Sequence, residues 1–455
     1  MADKPTLWDV QKTAGKSKRG RQRGKARLYL HPGQLKVWNS TKRFVYMLAG
    51  TQSGKTSFGP WWLKREIERC GPGDYIAVTP TFPLLNLKLL PEFLAVFRDT
   101  LQLGVWRAGD KVFSYHDGQT RIIFGSARNP ESLESATAKA AWCDELGQDD
   151  FRLDSWEAVQ RRLSLHQGRI LGTTTIYNLG WLKQQIYDPW ARGELPDTDI
   201  IQFESIANPA FPLEEYQRVQ AVLPSWKFRM FYQGFFERPP GMIYSDFADK
   251  YRDEGGHIVR PFDIPSEWPR YNGTDFGAVN LAHVWLVRDP QNGVSYIYDE
   301  SLTGGKSTAQ HASEAKAKAE GVNMKSWYGG AKSEVQQRMD WEAEGIYMLE
   351  PEISDVEAGI DRIISLFKQD LLYIFDTCRG VLDELGTYSR ELGDDGEPTE
   401  QIRRKETFHL LDALRYAAQA LTVPASSGVV VGIAPRLMGE GYESRRIGWS
   451  RRLRR

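Results

Sequence analysis

The feature that most constrains the fold is an apolar run that leads through a glycine-containing loop into a helix. The run is RFVYMLA (43–49), the loop is GTQSGKT (50–56), and the helical stretch is SFGPWWLKREIERC (57–70). A buried strand that ends in such a loop points backbone N–H groups and the N-terminus of the next helix towards an anion. The pattern therefore predicts a phosphate-binding loop at the edge of a parallel α/β sheet.

Each residue of this loop has an expected role. Lys55 would reach the β- and γ-phosphates of ATP, and the Thr56 hydroxyl would ligate Mg²⁺. The usual pattern has glycine five positions before Gly54, where this chain has Ala49, with Gly50 one place later. The backbone that would cradle the phosphates comprises Gly50, Thr51, Gln52, Ser53 and Gly54.

A second apolar run supplies the acids that such a site needs. KAAWCDE (139–145) ends in Asp144, which would hold Mg²⁺ through water, and Glu145, which would orient and deprotonate the attacking water. Acids at a strand end are ordinary solvated residues in most proteins. A functional role for this pair is favoured because Lys55 follows an earlier strand of the same predicted sheet.

Other residues are weaker candidates, each with a plain alternative. Gln34 in LHPGQLKVW would hydrogen-bond an adenine edge, or it is a surface glutamine. GTTT (172–175) would form a nucleotide-sensing segment, or it is a run of residues that favour strands. A charge-stabilising arginine finger is also expected. Arg128 is the candidate carried forward from a set that comprises Arg128, Arg152, Arg161 and Arg162.

The strand and helix patterns divide the chain into two domains. From 28 to 238, apolar runs at 43–49, 75–80, 120–126, 139–145 and 168–175 alternate with helical stretches, which predicts a parallel sheet covered on both faces. The Pro/Gly-rich stretch 239–268 is expected to be a linker. The following domain, 269–423, combines close-set strands at 271–277, 282–289 and 294–300 with later strands and helices, a mixed sheet.

Four acids in the second domain suggest a metal-dependent site. Asp275 ends the first strand, Asp299 and Glu300 close the third, and Asp412 lies on the helix FHLLDALRYAAQAL. Carboxylates from separate elements that meet at a sheet edge suit two divalent ions about 4 Å apart, which cleave phosphodiesters. Taken singly, each acid is better explained as a helix cap or a solvated side chain.

Composition narrows the class and the setting. The 455 residues are 41% hydrophobic, a globular composition, and the N-terminus lacks the apolar segment of a secretory signal. Cys70, Cys143 and Cys378 have no metal-type spacing, so a reducing cytosol is expected. Net charge is zero, but the terminal segments 1–27 and 424–455 are basic. They are expected to be flexible tails that contact DNA phosphates, or tails that only add solubility.

Together these motifs resemble the large terminase subunit of tailed bacteriophages, over roughly 28–423. The resemblance rests on the motifs LHPGQ, AGTQSGKT, AAWCDEL, GTDFG, VSYIYDE and KETFHLLDALRYA. The last includes Lys405, His409, Asp412, Arg415 and Tyr416, and it is the most discriminating of them. The resemblance implies a P-loop ATPase domain of the additional-strand (ASCE) type with a mostly parallel sheet, followed by an RNase H-like nuclease domain with a mixed sheet.

The resemblance also implies a function and partners. The chain would hydrolyse ATP to drive double-stranded DNA into a procapsid, and it would cut concatemeric DNA with Mg²⁺ or Mn²⁺. Its expected partners are a portal protein, a small terminase subunit and further copies of itself in a ring, with no membrane. Its expected location is the host cytoplasm and, transiently, the portal vertex of the procapsid, without retention in the mature virion.

One departure from the family concerns the nuclease site. Many such nucleases carry a middle acid at the end of the fourth strand, where this chain has Gly330. Glu334, the Asp299 and Glu300 pair, or Asp361 would replace it, or the metal site is weaker than usual. A DNA translocase or helicase whose second domain binds DNA without cutting is therefore an alternative. A nucleotide-gated assembly protein is a further one, although Glu145 argues against it.

Overall fold

The computed structural model describes residues 8–11, 25–129, 137–277, 279–352, 355–393 and 396–421, with side chains from Arg27 onward. These residues belong to one unit of the chain, which ends at Leu421. The predicted tail 424–455 and most of the predicted tail 1–27 lie outside the described residues. The exceptions are two short strands near the N-terminus, which pair antiparallel.

In the described residues the strands form four sheets, of eight, seven, two and two strands. In chain order they are β1 (Trp8–Gln11), β2 (Lys25–Leu28), β3 (Phe44–Ala49), β4 (Asp74–Thr79), β5 (Gly104–Arg107), β6 (Val112–Tyr115), β7 (Arg121–Ser126), β8 (Ala138–Asp144), β9 (Arg169–Thr174), β10 (Thr198–Phe203), β11 (Ile258–Val259), β12 (Arg270–Asp275), β13 (Leu281–Arg288), β14 (Ser295–Thr303), β15 (Met324–Gly329), β16 (Met348–Leu349), β17 (Leu372–Phe375), β18 (Arg390–Leu392) and β19 (Pro398–Ile402).

The helices cover the two larger sheets. The α-helices are α1 (Pro32–Asn39), α2 (Lys55–Cys70), α3 (Phe82–Leu84), α4 (Leu90–Leu94), α5 (Leu153–Leu163), α6 (Asp188–Ala191), α7 (Leu213–Val222), α8 (Ser225–Phe228), α9 (Thr308–Ala319), α10 (Val335–Ala343), α11 (Val356–Lys368), α12 (Arg379–Thr387) and α13 (His409–Ala417). π-helical turns at Leu85–Leu89 and Ala95–Thr100 continue α3 and α4, and two more cover Leu182–Tyr187 and Arg229–Gln233. Among the described helices, none combines the length and apolar composition that crossing a bilayer requires.

The first large sheet has the order β10-β3-β9-β8-β4-β7-β6-β5. Its first six strands are parallel, and β6 and β5 extend one edge in antiparallel pairing. An extra strand, β9, therefore lies between β3, which precedes the GTQSGKT loop, and β8, which ends in Asp144. This is the additional-strand ATPase fold predicted from the sequence, and that prediction is confirmed.

Alternate residues of β3 face two different hydrophobic cores, because successive side chains of a strand point to opposite faces. Val45 and Met47 pack with α2 on one face of the sheet. Tyr46 and Leu48 pack with α5 on the other, around Trp156. Burial on both faces explains why this strand reads as a continuous apolar run. The ends of β3 and β8 are thereby held in place by hydrophobic cores on both faces of the sheet.

The second large sheet has the order β11-β17-β14-β13-β12-β15-β16. The central strands β14, β13 and β12 are antiparallel, and β17, β15 and β16 join them in parallel. This mixed sheet agrees with the predicted RNase H-like fold. The stretch 239–268, predicted as a linker, supplies an edge strand, because β11 pairs with β17. The sequence did not predict β5, β6, β10 or the hairpin β18–β19.

Candidate functional site

The loop between β3 and α2 curls tightly at the sheet edge. Gln52 (φ 55°) and Gly54 (φ 87°) are both left-handed, and the amide of Thr51 donates to the Phe231 carbonyl at 2.6 Å. The loop thus brings the first turn of α2 to the end of β3. The first amides of that helix have no hydrogen-bond partner within the helix. Within the described chain, the buried Ser53 Oγ has no hydrogen-bond partner, which suits a hydroxyl that meets a ligand oxygen.

Lys55, the first residue of α2, is buried next to this loop. Its Nζ donates to the carbonyls of Ala49 (2.9 Å) and Gly50 (2.7 Å) and to Thr175 Oγ1 (3.0 Å). Burial lowers the pKa of Lys55 to about 8, against the opposing charges of Glu145 and Asp144. A bound phosphate would offset the cost of burying the ammonium, because its negative charge favours the charged form of Lys55.

Asp144 lies beside Thr56 at the end of β8. Its Oδ2 accepts from Thr56 Oγ1 at 3.0 Å, and its Oδ1 accepts from Thr173 Oγ1 at 2.6 Å. Burial raises the pKa of Asp144, and the neighbouring charge of Glu145 adds to that effect. A buried carboxylate and a hydroxyl held together in this way fit a hard divalent cation such as Mg²⁺, which prefers oxygen ligands. The GTTT segment contacts both Asp144, through Thr173, and Lys55, through Thr175.

Glu145 follows directly, in a left-handed conformation (φ 56°). Its Oε2 accepts a hydrogen bond from the Tyr177 hydroxyl at 2.9 Å, and its Oε1 lies 3.8 Å from Lys88 Nζ. The carboxylate is therefore held in a defined position one residue beyond Asp144. That position is compatible with a general base directed at a γ-phosphate.

Gln34 is fully buried beneath the loop. Its Nε2 donates to the Gly54 carbonyl at 3.0 Å, and its Oε1 accepts from the amide of His31 at 3.3 Å. His31 Nε2 lies 3.1 Å from the Ser53 carbonyl. The start of α1 thus supports the loop from below, whereas contact of Gln34 with an adenine stays a prediction.

The four candidate arginines occupy three different places. Arg128 lines a cleft that also contains Tyr177. Arg152 lines a cavity shared with the second sheet, next to Thr407. Arg161 and Arg162 lie in the last turn of α5. These placements leave the choice of an arginine finger open.

In the second sheet, Asp275 ends β12 beside the start of α13. Its Oδ2 lies 2.9 Å from His409 Nδ1. This hydrogen bond raises the pKa of His409, and burial opposes it only in part. An imidazole that holds a carboxylate at a sheet end is a typical orienting contact around a metal ligand.

Asp412 approaches the same sheet end from α13. The helix lies directly against β12, where a Cβ on Gly273 would come within 1.9 Å of the Ala413 carbonyl. Only glycine permits this approach, and it brings Asp412 to the end of the strand that carries Asp275. Arg415 Nη2 donates to Asp412 Oδ1 at 2.6 Å. Burial raises the pKa of Asp412, and the charge of Asp275 contributes in the same direction.

Glu334 lies next to Gly330, the position at which the sequence departs from the family pattern. Gly330, which follows β15, is left-handed (φ 72°), and its amide donates to the Thr274 carbonyl at 3.0 Å, next to Asp275. A Cβ on Gly330 would come within 2.8 Å of Glu334 Oε2 and within 2.5 Å of the Phe276 ring. The Glu334 carboxylate therefore occupies the space that a side chain at 330 would enter. Burial raises the pKa of Glu334, and the charge of Asp275 adds to it.

Asp299 and Glu300 make other contacts. Both Glu300 oxygens accept from backbone amides at the N-terminus of α12, those of Gly380 (2.6 Å) and Val381 (2.7 Å). Asp299 Oδ2 accepts from Lys318 Nζ at 2.5 Å. Glu300 therefore caps a helix, which is one of the two plain roles expected for a single acid, and Asp299 forms an ion pair with Lys318. Within the described ranges, no three or more His, Cys, Asp or Glu side chains are gathered closely enough to hold a metal ion.

Hydrogen bonds and ion pairs join the two large sheets near these sites. Arg403 Nη2 donates to Asp149 Oδ2 at 2.7 Å, and Arg404 Nη2 donates to Asp150 Oδ1 at 3.0 Å. Asp383 on α12 accepts from the amide of Trp181. The segment just after Glu145 is thus bound to the turn that follows the β18–β19 hairpin.

Asp383 makes this interface sensitive to pH. Burial raises the pKa of its carboxyl to about 6. The folded protein therefore loses stability as the pH rises from the ordinary carboxyl pKa to above 6, because the buried carboxyl then becomes charged. Asp383→Asn keeps the acceptor for Trp181 and removes the charge. We expect it to stabilise the protein by about 1–2 kcal/mol at pH 8, allowing for the partial exposure of the side chain. The gain should fade towards pH 4, where the wild-type carboxyl is protonated in the folded protein.

Thermal unfolding of the wild type and of Asp383→Asn at pH 8 and at pH 4 measures this difference. Equal unfolding midpoints at pH 8 would show that the charge is not buried. Asp383→Ala is the comparison variant, because it removes the charge and the acceptor together.

Several residues of these sites were not singled out from the sequence. Tyr177 lies two residues beyond the GTTT run, and its role depends on the path of the chain after β9. Lys88 approaches from a π-helical turn with no sequence motif. Glu384 accepts from the amides of Leu410 (3.2 Å) and Leu411 (2.9 Å) and so fixes the start of α13. No local signal in the sequence distinguishes this buried glutamate from a surface one.

The fold and these residues define a class: an additional-strand P-loop sheet joined to an RNase H-like sheet, each with acids at its strand ends. No family model matches the chain, and no curated protein matches it. The solved structures that it matches include large terminases from several phages, as the motifs predicted.

Three of these structures illustrate the likeness. The large terminase from a thermophilic bacteriophage, in complex with ATP-gamma-S, is 16% identical, with a TM-score of 0.41, covering 85% of this chain and 98% of that one. The large terminase of bacteriophage HK97 is 14% identical, with a TM-score of 0.45 and coverages of 86% and 95%. The nuclease domain of the P22 large terminase is 22% identical, with a TM-score of 0.31 and coverages of 36% and 86%. Identities and scores this low leave the function to be argued from the residues of this chain.

Proposed function

We propose that this chain is the motor-and-nuclease subunit of a viral DNA-packaging machine. It hydrolyses ATP to move double-stranded DNA into a procapsid and cleaves concatemeric DNA at a second site. The observation that carries the proposal is the 3.0 Å hydrogen bond between Thr56 and Asp144, beside the buried Lys55. It brings a phosphate-binding lysine and the carboxylate for a magnesium ion to one edge of one sheet.

At the first site, the Gly50–Gly54 loop and the N-terminus of α2 bind the phosphates of ATP. Lys55 exchanges its bonds to backbone carbonyls for bonds to the β- and γ-phosphates. Glu145 orients a water molecule and accepts its proton as that water attacks the γ-phosphate. An arginine, with Arg128 as the first candidate, stabilises the charge that develops on the phosphoryl group.

At the second site, Asp275, Asp412 and Glu334 would hold the metal ions after moving closer together, because no three such side chains of the described residues lie closely enough to do so in the structure. His409 positions Asp275. We assign Glu334 in place of Glu300, because both Glu300 oxygens accept from amides of α12, whereas Glu334 accepts from one backbone amide, that of Ala331, through Oε2 alone. Mg²⁺ or Mn²⁺ supplies neutralisation of phosphate charge at both sites and, at the second, a water nucleophile at neutral pH. The charge of Asp275 acts on both Asp412 and Glu334, and a bound cation would relieve this repulsion.

The proposal also names partners. The working assembly is a ring of these subunits on a portal protein, with a small terminase subunit and double-stranded DNA. Its location is the host cytoplasm and, transiently, the procapsid. Contacts with the duplex are mainly to phosphates, so binding tolerates different sequences and weakens as salt rises.

Two variants, each expected to lose one activity and keep the other, test the proposal. We expect duplex DNA to stimulate ATP hydrolysis and Mn²⁺ to support plasmid cleavage in one preparation of the full chain. Lys55→Ala should abolish hydrolysis and keep Mn²⁺-dependent cleavage. Asp275→Ala should do the reverse, because the two sites lie on separate sheets. Loss of both activities in either variant, with unchanged thermal unfolding, would contradict two independent sites.

One observation favours a second candidate function. Gly330 stands where a middle acid is usual, so the chain would be a DNA translocase whose second domain binds DNA without cutting it. In that case wild type and Asp275→Ala show the same low plasmid cleavage with Mn²⁺, while DNA-stimulated hydrolysis persists in both.

A further inference from the structure

A cleft of about 710 Å³ lies beside the candidate ATP site, between the first sheet and the β18–β19 hairpin. On one side it is lined by Arg128, Tyr177, Lys227 and the neighbouring Trp226, and on the other by Arg403. The acids assigned to the second site are not among its lining residues. Of its lining side chains, the proposed mechanism uses only Arg128, as a candidate arginine finger, and Tyr177, which holds Glu145. The rest of the cleft has no role in that mechanism.

The cleft carries an excess of positive charge. Five basic side chains line it, against the two acids Asp149 and Asp150. Those acids pair with Arg403 and Arg404, and Arg390 pairs with Glu357. Within the described part of the chain, Arg128 and Lys227 form no ion pair, and both are exposed. These two cations are available to a ligand, and they require that it be anionic.

Three aromatic side chains complete the lining. Tyr177, Trp226 and Phe231 all border the cleft, and the rings of Tyr177 and Phe231 meet edge to face at 5.8 Å. All three are partly exposed, so ring surface is accessible. Aromatic rings next to unpaired cations are the combination that binds single-stranded nucleic acid, because bases stack and phosphates pair.

We propose that this cleft binds a short single-stranded segment of DNA, with bases on Trp226 and Tyr177 and phosphates on Arg128 and Lys227. The inference rests on the proposed function, since it assumes that DNA is the substrate. The cavity volume lies in the range that encloses a drug-sized ligand, so it accommodates about one or two nucleotides and not a length of duplex. Strand separation near a cut end would supply such a segment.

The bound strand lies against two residues that hold the ATP site. Tyr177 donates its hydroxyl hydrogen bond to Glu145, and the Phe231 carbonyl accepts from the amide of Thr51. A base stacked on Tyr177 therefore contacts the residue that holds Glu145, and it lies next to Phe231, whose carbonyl holds the loop.

Fluorescence anisotropy with a labelled ten-nucleotide oligothymidylate and with a labelled duplex, both in EDTA, tests the site in the full chain. Arg128→Gln with Lys227→Gln should weaken oligothymidylate binding about tenfold. It should also reduce the slope of log K against log salt by about 1.4, or 0.7 for each lost phosphate contact. Trp226→Leu should weaken binding about tenfold with an unchanged slope. Binding is the readout, because Arg128 is also a candidate arginine finger.

Lys36→Gln with Lys325→Gln is the matched control, because it removes the same charge from exposed positions that do not line the cleft. It should bind the oligonucleotide like the wild type. Wild-type affinity in the Arg128 and Lys227 variant, or an equal loss in the control, overturns the site. Equal losses for duplex and single strand overturn the single-strand assignment. If the wild type binds neither DNA, the proposed function itself fails.

Discussion

Glu145→Gln is expected to bind ATP as the wild type does and to hydrolyse it at least about 100-fold more slowly. Glutamine matches glutamate in size and keeps an oxygen that accepts from the Tyr177 hydroxyl, so the geometry at the end of β8 should persist. What it loses is the ability to take a proton from water. A positioned general base typically contributes roughly 10²–10⁴-fold to the rate, which sets the expected loss.

Steady-state hydrolysis with duplex DNA and equilibrium binding of a fluorescent ATP analogue measure the two properties separately. Glu68→Gln is the matched control, since Glu68 is exposed on α2 and pairs with Lys64, away from the loop. It should keep both binding and turnover. Lys55→Ala should lose binding, because no other described ammonium lies within the loop. DNA-stimulated turnover at the wild-type rate in Glu145→Gln would remove the general-base assignment.

Substitutions of the acids assigned to the second site are expected to have a large effect on DNA cleavage. We expect Asp275→Asn and Glu334→Gln each to lower Mn²⁺-dependent plasmid cleavage more than about 100-fold, because each removes a charged metal ligand. Glu300→Gln should stay within roughly threefold of the wild type, since glutamine still accepts one of the two α12 amide hydrogen bonds. The comparison decides between two glutamates that the sequence left as alternatives for the same role.

Agarose-gel assays of nicked and linear plasmid over a range of Mn²⁺ concentrations provide the measurement. Higher Mn²⁺ should partly rescue Glu334→Gln if the residue binds metal, because mass action compensates a weakened site. Thermal unfolding excludes loss of fold as the cause. If Glu300→Gln is inactive while Glu334→Gln cleaves normally, the assignment of the middle ligand is reversed.

Much of the fold could be predicted because the central strands are buried on both faces and carry an unmistakable apolar pattern. The predicted runs at 43–49, 75–80 and 139–145 each lie within one residue of β3, β4 and β8. The last two strands at one side of the first sheet, β6 and β5, are short and only partly buried, so their sequences lack this pattern. The hairpin β18–β19 is mostly exposed and contains charged residues, which makes it resemble a loop.

The first site was predictable to a greater extent than the second for a physical reason. The phosphate-loop residues are contiguous, and the carboxyl ends of neighbouring parallel strands must meet at one edge. In the second site, β14 contains an irregularity opposite Trp285 and Leu286, where the pairing register shifts. Such a bulge changes which face the following residues present, so the directions of Asp299 and Glu300 do not follow from alternation. The role of Glu334 depends on the left-handed Gly330, which no spacing rule reveals.

The ion pairs between Asp149, Asp150 and the two arginines after β19 have a mechanical consequence. These aspartates follow Glu145 by four and five residues, and Arg404 precedes His409 by five. If the two large sheets move relative to each other, these pairs must either break or move the segment after Glu145 with them. Higher ionic strength would then loosen this connection, because it screens the charges of the partly exposed pairs.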